Sequence, residues 1–438
     1  MDSSLDTLAK LRSNELSGSS RLILNGCRLT ELPQEVFALA DTLEFLDISS
    51  NQIPSIPEDL GRLKKLRILF ASGNPITHLP EGLGACGSLT TIGFRGCRIE
   101  SIADGAFSPS LEAIILTGNR LRTLPQAIGN CPKLRKLMLT GNALEELPQG
   151  LATCERLELL RLAANRVVEL PTWLLEMPRL AWLALGGNPG CRPLLDAAED
   201  MPTIDWADLE IREVLGQGAS GIINKAVWRD ASGRGREVAV KVFKGDLTSD
   251  GLPVAEMAAC LAAGRHPHLV PVLGRVIQHP ENSAAMVMEL IDREFINLAG
   301  PPTLETFTRD VYPDVRCFTT AVVLRTAFGI ADSVAHLHAR GILHGDLYAH
   351  NILWRANGTA LLSDFGAASA YDVSGAQARS LQRIEVRAFG LLLGELLERC
   401  DDEGSKSPME GLREECLSSR VSERPTFVEI VERLASLR

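Results

Sequence analysis

His344-Gly345-Asp346-Leu347-Tyr348-Ala349-His350-Asn351 decides how the second half of the chain is read. An apolar, helix-like run from Thr326 to Ala339 leads into it, and the strand-like Ile352-Leu353-Trp354 leaves it. Asp364-Phe365-Gly366 begins thirteen residues past Asn351. An Asp, an Asn five residues on and a second Asp beyond a short hairpin can converge on one phosphate–metal site. One carboxylate can orient a hydroxyl and accept its proton. The Asn amide oxygen and the second carboxylate are hard ligands of the kind Mg²⁺ takes.

Working outward, Leu215-Gly216-Gln217-Gly218-Ala219-Ser220-Gly221-Ile222-Ile223 is a G-x-G-x-x-G between two strand-like segments. Glycines let a backbone lie close over phosphates and present N–H groups. A strand follows rather than a helix, which argues against a dinucleotide-binding turn. Val238-Ala239-Val240-Lys241-Val242 then sets a lysine in mid-strand. A buried ammonium needs an anion, and nucleotide phosphates plus a carboxylate would supply it. The carboxylate candidate is Glu256, in the helix-like Val254–Ala263. Met286-Val287-Met288-Glu289-Leu290 reads as a buried strand, and Arg424-Pro425 stands near the end.

With these segments in this order, residues 209 to 438 resemble the eukaryotic-type protein kinases, and an α+β bilobal domain is expected over 208–438. The resemblance implies that Gly216, Gly218 and Gly221, with Leu215, Gln217 and Ile223 around them, cover the phosphates of ATP. Lys241 would hold the α- and β-phosphates and pair with Glu256. Ala239 and Leu353 would enclose adenine, and Glu289 to Ile291 would form its hinge. Asp346 would be the catalytic base, and Asn351 and Asp364 would bind Mg²⁺. His344 and Phe365 would join an internal apolar column.

The chain departs from that pattern in places. Gly345 stands where the family usually carries arginine, so a phosphorylated loop cannot be clamped in the ordinary way. Tyr348 replaces the lysine of serine/threonine kinases, and His350 stands where tyrosine kinases carry arginine. Glu385 takes the place of an Asp, only 21 residues past Asp364. No Ala-Pro-Glu lies between them, so Arg424 is expected to lack its usual acidic partner. The segment is short, and Ser369, Tyr371, Ser374 and Ser380 are its candidate phosphate acceptors. The loop H-G-D-x-x-x-x-N also resembles that of small-molecule kinases acting on aminoglycosides. A protein serine/threonine kinase, a kinase with a small acceptor and a catalytically silent scaffold are the three readings. The presence of all of Gly218, Lys241, Glu256, Asp346, Asn351 and Asp364 favours the first.

The first half is a repeat. In the pattern L-x-x-L-x-L-x-x-N-x-L-x-x-L-P, the Asn position falls at Cys27, Asn51, Asn74, Cys97, Asn119, Asn142, Asn165 and Asn188, with spacings of 22 to 24 residues. One unit is Leu134, Leu137, Leu139, Asn142, Leu144, Leu147 and Pro148. The alternating leucines predict a short strand with one face inward, and stacking of units supplies the core that no single unit can bury. Residues 18 to 195 thus resemble the leucine-rich repeats. This implies an α/β solenoid, a horseshoe whose strands line a concave face that binds a protein partner or docks on the kinase-like half. Phe45, Ile68, Phe70, Ala113, Ile115, Met138, Leu159 and Trp182 are expected to point outward there as an apolar column, with Arg95, Lys136 and Arg161 among them. Residues 1–17 are expected to form a helical cap, and 196–207 a linker.

The chain's 438 residues are 45% hydrophobic and 23% charged, enough for two domains with real cores. A formal net charge of −10 argues against nucleic acid as a partner. No apolar run is long enough to span a bilayer, and Met1-Asp2-Ser3-Ser4 begins no apolar leader, so a cytoplasmic protein is expected. Of ten cysteines, none forms a C-x-x-C pair, and five keep the repeat period. They read as small buried hydrophobes, free thiols in a reducing compartment.

Overall fold

Each repeat places a three-residue strand in a parallel ladder, and the middle residue of each strand is the one the sequence period marks as inward. The computed structural model describes residues 2–192, 202–218, 220–229, 233–245, 247–401 and 407–438. It divides into two compact units, Met1–Arg179 and Leu180–Arg438. In the first, strands Arg21–Ile23, Phe45–Asp47, Ile68–Phe70, Thr91–Gly93, Ala113–Ile115, Lys136–Met138 and Leu159–Arg161 pair in chain order. Their central residues Leu22, Leu46, Leu69, Ile92, Ile114, Leu137 and Leu160 are in register and fully buried. The helix Asp2–Arg12 covers the first strand, burying Leu8 and Leu11.

The repeat asparagines satisfy the backbone where the chain leaves each strand. Asn74 accepts from Ile53 N at 3.0 Å and donates to the carbonyls of Ile48 and Ala71 at 2.9 Å, so one buried amide ties two repeats. Asn51, Asn119, Asn142 and Asn165 do the same. Cys97, in the Asn position, keeps one of those contacts through its thiol, to Ala71 O at 3.4 Å. After each Leu-Pro the chain returns mostly through short 3₁₀ turns such as Glu58–Arg62 and Gln149–Thr153, each entered from an extended proline. Proline suits that junction because its φ is fixed and its missing N–H is one a helix start leaves unpaired anyway. The outward column is less open than its sequence suggests. Phe45 is buried, with the Arg21 guanidinium 3.6 Å from its ring centre and Phe70 edge-on at 5.8 Å.

In the second unit a six-stranded sheet runs Thr203–Asp205, Val272–Ile277, Ala285–Glu289, Gly235–Phe243, Gly221–Arg229, Leu209–Gln217. The first pair is parallel and the rest are antiparallel. Ile204, Leu209, Ala226, Val238, Val240 and Val287 form its core. Of the expected linker, residues 196–201 lie outside those described, while Thr203–Asp205 is an edge strand of this sheet rather than free chain. Helix Pro253–Ala263 belongs with the sheet, and Thr320–Ala339, Ala378–Glu398, Ser407–Cys416 and Phe427–Ser436 make the helical part. Thr319 caps the first of these four through Val322 N, and Thr426 with Glu429 forms a capping box on the last. Among the described residues no helix is long and apolar enough to cross a membrane.

Candidate active site

Lys241 and Glu256 meet because the register of the sheet aims one at the other. Lys241 sits opposite Ile223 on one neighbouring strand and Met286 on the other, in a strand buried from Val238 to Lys241. Its ammonium pairs with the Glu256 carboxylate, both side chains being almost fully buried. It also lies 3.9 Å from Asp364 Oδ1. Burial opposes the charge on Lys241, but Asp364 and Glu256 outweigh it and raise the ammonium's pKa. Burial pushes Glu256 up to about 7 against the pull of Lys241. Only one Glu256 oxygen is engaged by the lysine; the other is buried without a protein partner, beside Gly366. Lys225, the other lysine near this sheet face, is taken by Glu237 at 2.5 Å.

The residues of the 344–351 loop converge as well. Asn351, in a 3₁₀ turn, donates from Nδ2 to Asp346 Oδ2 at 2.7 Å and to Asp346 O at 3.0 Å. His344 meets the Ser363 carbonyl at 3.0 Å and packs its ring 5.1 Å from Phe365, which joins the loop to the Asp364 segment. Asp364 has φ of +58°, a left-handed backbone that Asp adopts more readily than most residues. His350, beside Asn351, is fixed by Asp310, which bonds its ring at 2.7 Å and its backbone N–H at 3.0 Å. Burial works against the His350 cation, but Asp310 prevails and its pKa rises.

The remaining nucleotide-site candidates surround this centre. Leu215, Gly216, Gln217 and Gly218 end the first hairpin strand on its exposed side, and a side chain at Gly216 or Gly218 would meet open space. Gly221 is different, since a β-carbon there would lie 2.5 Å from Val242 O, so the hairpin closes tightly only with glycine. Ala219 lies outside the described residues. Ala239 is buried in the lysine strand, Ile223 and Leu353 are half-buried, and Glu289, whose side chain bonds Arg236 at 3.0 Å, leads to Ile291.

The donor set fits a hard divalent ion. Asn351 uses its N–H groups on Asp346, which leaves its amide oxygen facing outward from that contact, and Asp364 is 46% exposed. Among the described residues no cluster of three or more His, Cys, Asp or Glu gathers as a self-sufficient metal site. Two oxygen donors completed by phosphate oxygens and water are what Mg²⁺ accepts.

Sequence reading named three further residues but missed their contacts. Glu385 does more than replace an Asp: it accepts from Gly345 N at 2.5 Å and from His338 Nε2 at 2.7 Å. Burial would raise its pKa, but the His338 contact overcomes that and lowers it. Arg424 is buried and donates to the carbonyls of Ser418 and Arg383, each at 3.0 Å, and burial pulls it down to about 9. Trp182, expected to point outward, is a buried residue of the second unit. It lies flat on Tyr348 at 4.2 Å and 5°, and donates from Nε1 to Leu347 O at 3.0 Å. A tryptophan at the strand position given to Ile68, Ala113 and Leu159 in other repeats was the one visible sign.

Two family models match the chain. A family model described as protein tyrosine and serine/threonine kinase matches residues 209–387. A leucine rich repeat model matches residues 20–76, 87–144 and 132–189. A serine/threonine-protein kinase of Streptomyces coelicolor is 33% identical over 179 residues, 38% of this chain and 30% of that protein. Mitogen-activated protein kinase kinase kinase 7 of Homo sapiens is 25% identical over 277 residues, 53% of this chain and 42% of its own. A solved leucine-rich-repeat protein of Leptospira interrogans aligns at 28% identity with a TM-score of 0.35, covering 42% of this chain and 53% of that one. The chain spans less than half the length of these two kinases. It carries leucine-rich repeats followed by a protein kinase domain with a sheet-rich first lobe and a helical second lobe.

Proposed function

We propose that the chain is an ATP- and Mg²⁺-dependent protein kinase, acting on serine or threonine hydroxyls, whose repeats at 18–195 recruit a protein and whose kinase domain spans 208–438. The observation that carries this is Lys241 held between Glu256 and Asp364, with Asp346 and Asn351 in contact within one loop. Lys241 would hold the α- and β-phosphates, kept in place and charged by Glu256. The backbone N–H groups around Gly216, Gly218 and Gly221 would cover the phosphates, and Ala239, Leu353 and the Glu289–Ile291 hinge would hold the base. Asp346 would orient the acceptor hydroxyl and take its proton, with Asn351 fixing the carboxylate's direction. Asn351 and Asp364 would hold the metal, which when bound neutralises phosphate charge. Positioning and electrostatics of this kind supply most of the catalysis in phosphoryl transfer. A cytoplasmic location agrees with free thiols, most of them buried.

The test is incubation of the full chain with Mg²⁺ and γ-labelled ATP, with and without cell lysate, resolving labelled protein from labelled small molecules. Label on protein serine or threonine supports the reading, and Asp346→Asn should lower it by about 10²–10⁴-fold while leaving ATP binding intact. Label only on small molecules, or equal transfer by the variant, would sink it.

A further inference from the structure

The second unit begins at Leu180, so the last strand of repeat pattern, Trp182–Ala184, is packed with the kinase domain's own loops. Its contacts fall on both segments that carry the chemistry. On the catalytic loop, Trp182 stacks on Tyr348 and donates to the Leu347 carbonyl, the two residues directly after Asp346. The Leu183 carbonyl lies 2.8 Å from where a β-carbon on Gly345 would sit, which is the place of the family's arginine. On the segment after Asp364-Phe365-Gly366, Leu185 N donates to Ser369 Oγ at 2.8 Å and Arg192 N to Ala370 O at 3.2 Å. Ser369–Ala370 in turn pairs with Ile342–Leu343, the strand that leads into His344.

These are directional contacts to backbone and to a stacked ring, made by residues covalently part of the chain. In kinases of the ordinary kind an arginine beside the catalytic Asp and a loop phosphate order the same two segments. Here the arginine is absent and its space is closed by Leu183. We propose that Trp182–Arg192 is a built-in brace, with Trp182 a positioning residue that sets the Asp346 carboxylate through Leu347 and Tyr348. The brace makes ordering of the loop a property of the fold rather than of a modification. This rests on the kinase reading above, but its structural half can be tested without it.

The experiment compares the full-length wild type with Trp182→Ala and Trp182→Phe. It follows hydrogen–deuterium exchange of residues 345–350 and 367–371 together with steady-state transfer at varied ATP. Loss of the ring should speed exchange in both segments and lower kcat by roughly 10- to 100-fold, the scale of a misplaced catalytic group. KM for ATP should stay within about twofold, because Lys241 and Glu256 are untouched. Phe keeps the stack and loses only the Nε1 donor, so it should restore most of both. If Trp182→Ala does not fold, Ser369→Ala, which removes the acceptor for Leu185 N together with the weaker bond to Ala367 O, should speed exchange of 367–371 alone. Unchanged exchange overturns the brace. A faster rate in Trp182→Ala overturns the positioning role and makes the segment a block instead. If the wild type transfers no phosphoryl group, the kinase reading fails and the exchange data alone judge the brace.

Discussion

Gly345 shows how backbone geometry alone can dictate a residue type. Its φ is +74°, and a β-carbon would stand 2.5 Å from Ala367 O and 2.8 Å from Leu183 O. The position therefore cannot carry arginine without moving backbone. Gly345→Ala should cost at least the roughly 1–3 kcal/mol that a strained non-glycine backbone carries. Its chemical-denaturation midpoint should fall accordingly, whereas a midpoint equal to wild type would show the loop to be loosely held. Glu395 gives a second residue-scale test. Its carboxylate accepts from the Tyr312 hydroxyl at 3.2 Å, and burial followed by Asp310 pushes its pKa up to about 8 from 4.5. Between those two pH values the folded chain holds a proton that the unfolded chain has released. Stability from this group is thus full below 4.5 and is lost as pH rises through 8. Glu395→Gln keeps an acceptor for Tyr312 and cannot ionise. The gap in melting temperature between variant and wild type should therefore widen in the variant's favour from pH 5 to pH 8.5; a gap that does not change with pH would show that Glu395 does not titrate with folding.

The short element after Asp364-Phe365-Gly366 carries the next prediction. Of its four candidate phosphate acceptors, Ser369 is 1% exposed and holds bonds to Leu185 N and Ala367 O. Tyr371 is also buried, bonded to His338 O and Gln382, and burial pushes its hydroxyl up to about 12. Ser374 is exposed and already donates to Asp372, and Ser380 is half-buried at the start of a helix. None of these faces an arginine beside Asp346. Initial rates of ATP-dependent transfer should therefore be equal before and after treatment with a broad phosphatase. A drop beyond about tenfold that returns on rephosphorylation would restore a phosphate switch. This element also marks where sequence reading stopped. Asp346, Asn351 and Asp364 stood out by residue type and spacing, and Lys241 because a charge in a β-branched run needs an explanation. The partners Leu185 and Ser369 were not, since one contributes a backbone N–H and neither spacing nor hydrophobicity reports it. Asp310, far from the motifs and in irregular chain, left no signal at all.

At the scale of the whole molecule, the repeats were the most legible part, because a 22-to-24-residue period repeats the same burial again and again. The inward leucines and the asparagine ladder follow it one for one, and so do the cysteines. Cys86, Cys131 and Cys154 each donate to a carbonyl of the preceding repeat at 3.4 to 3.5 Å. Burial pushes their thiols up to about 11, about 12 and about 11. In the second unit Cys416 is likewise raised to about 12, and burial raises Cys260 well above the ordinary thiol value. All ten cysteines are free thiols; eight are buried, Cys191 is half-buried and only Cys317 is exposed. Thiolate is the reactive form, and at pH 8 a thiol raised to 11 or 12 is ionised to about one part in a thousand or less. Alkylation of the native chain followed by peptide mass spectrometry should therefore label Cys317 first, Cys191 far more slowly and the other eight only in denaturant. Because the buried thiols are spread over both units, the labelling pattern reads the packing of each separately. Rapid labelling of Cys131 or Cys154 would mean that the repeats open to solvent without unfolding. Rapid labelling of Cys416 would mean the same of the helical part of the second unit. Protection of all eight requires both cores to be closed at once.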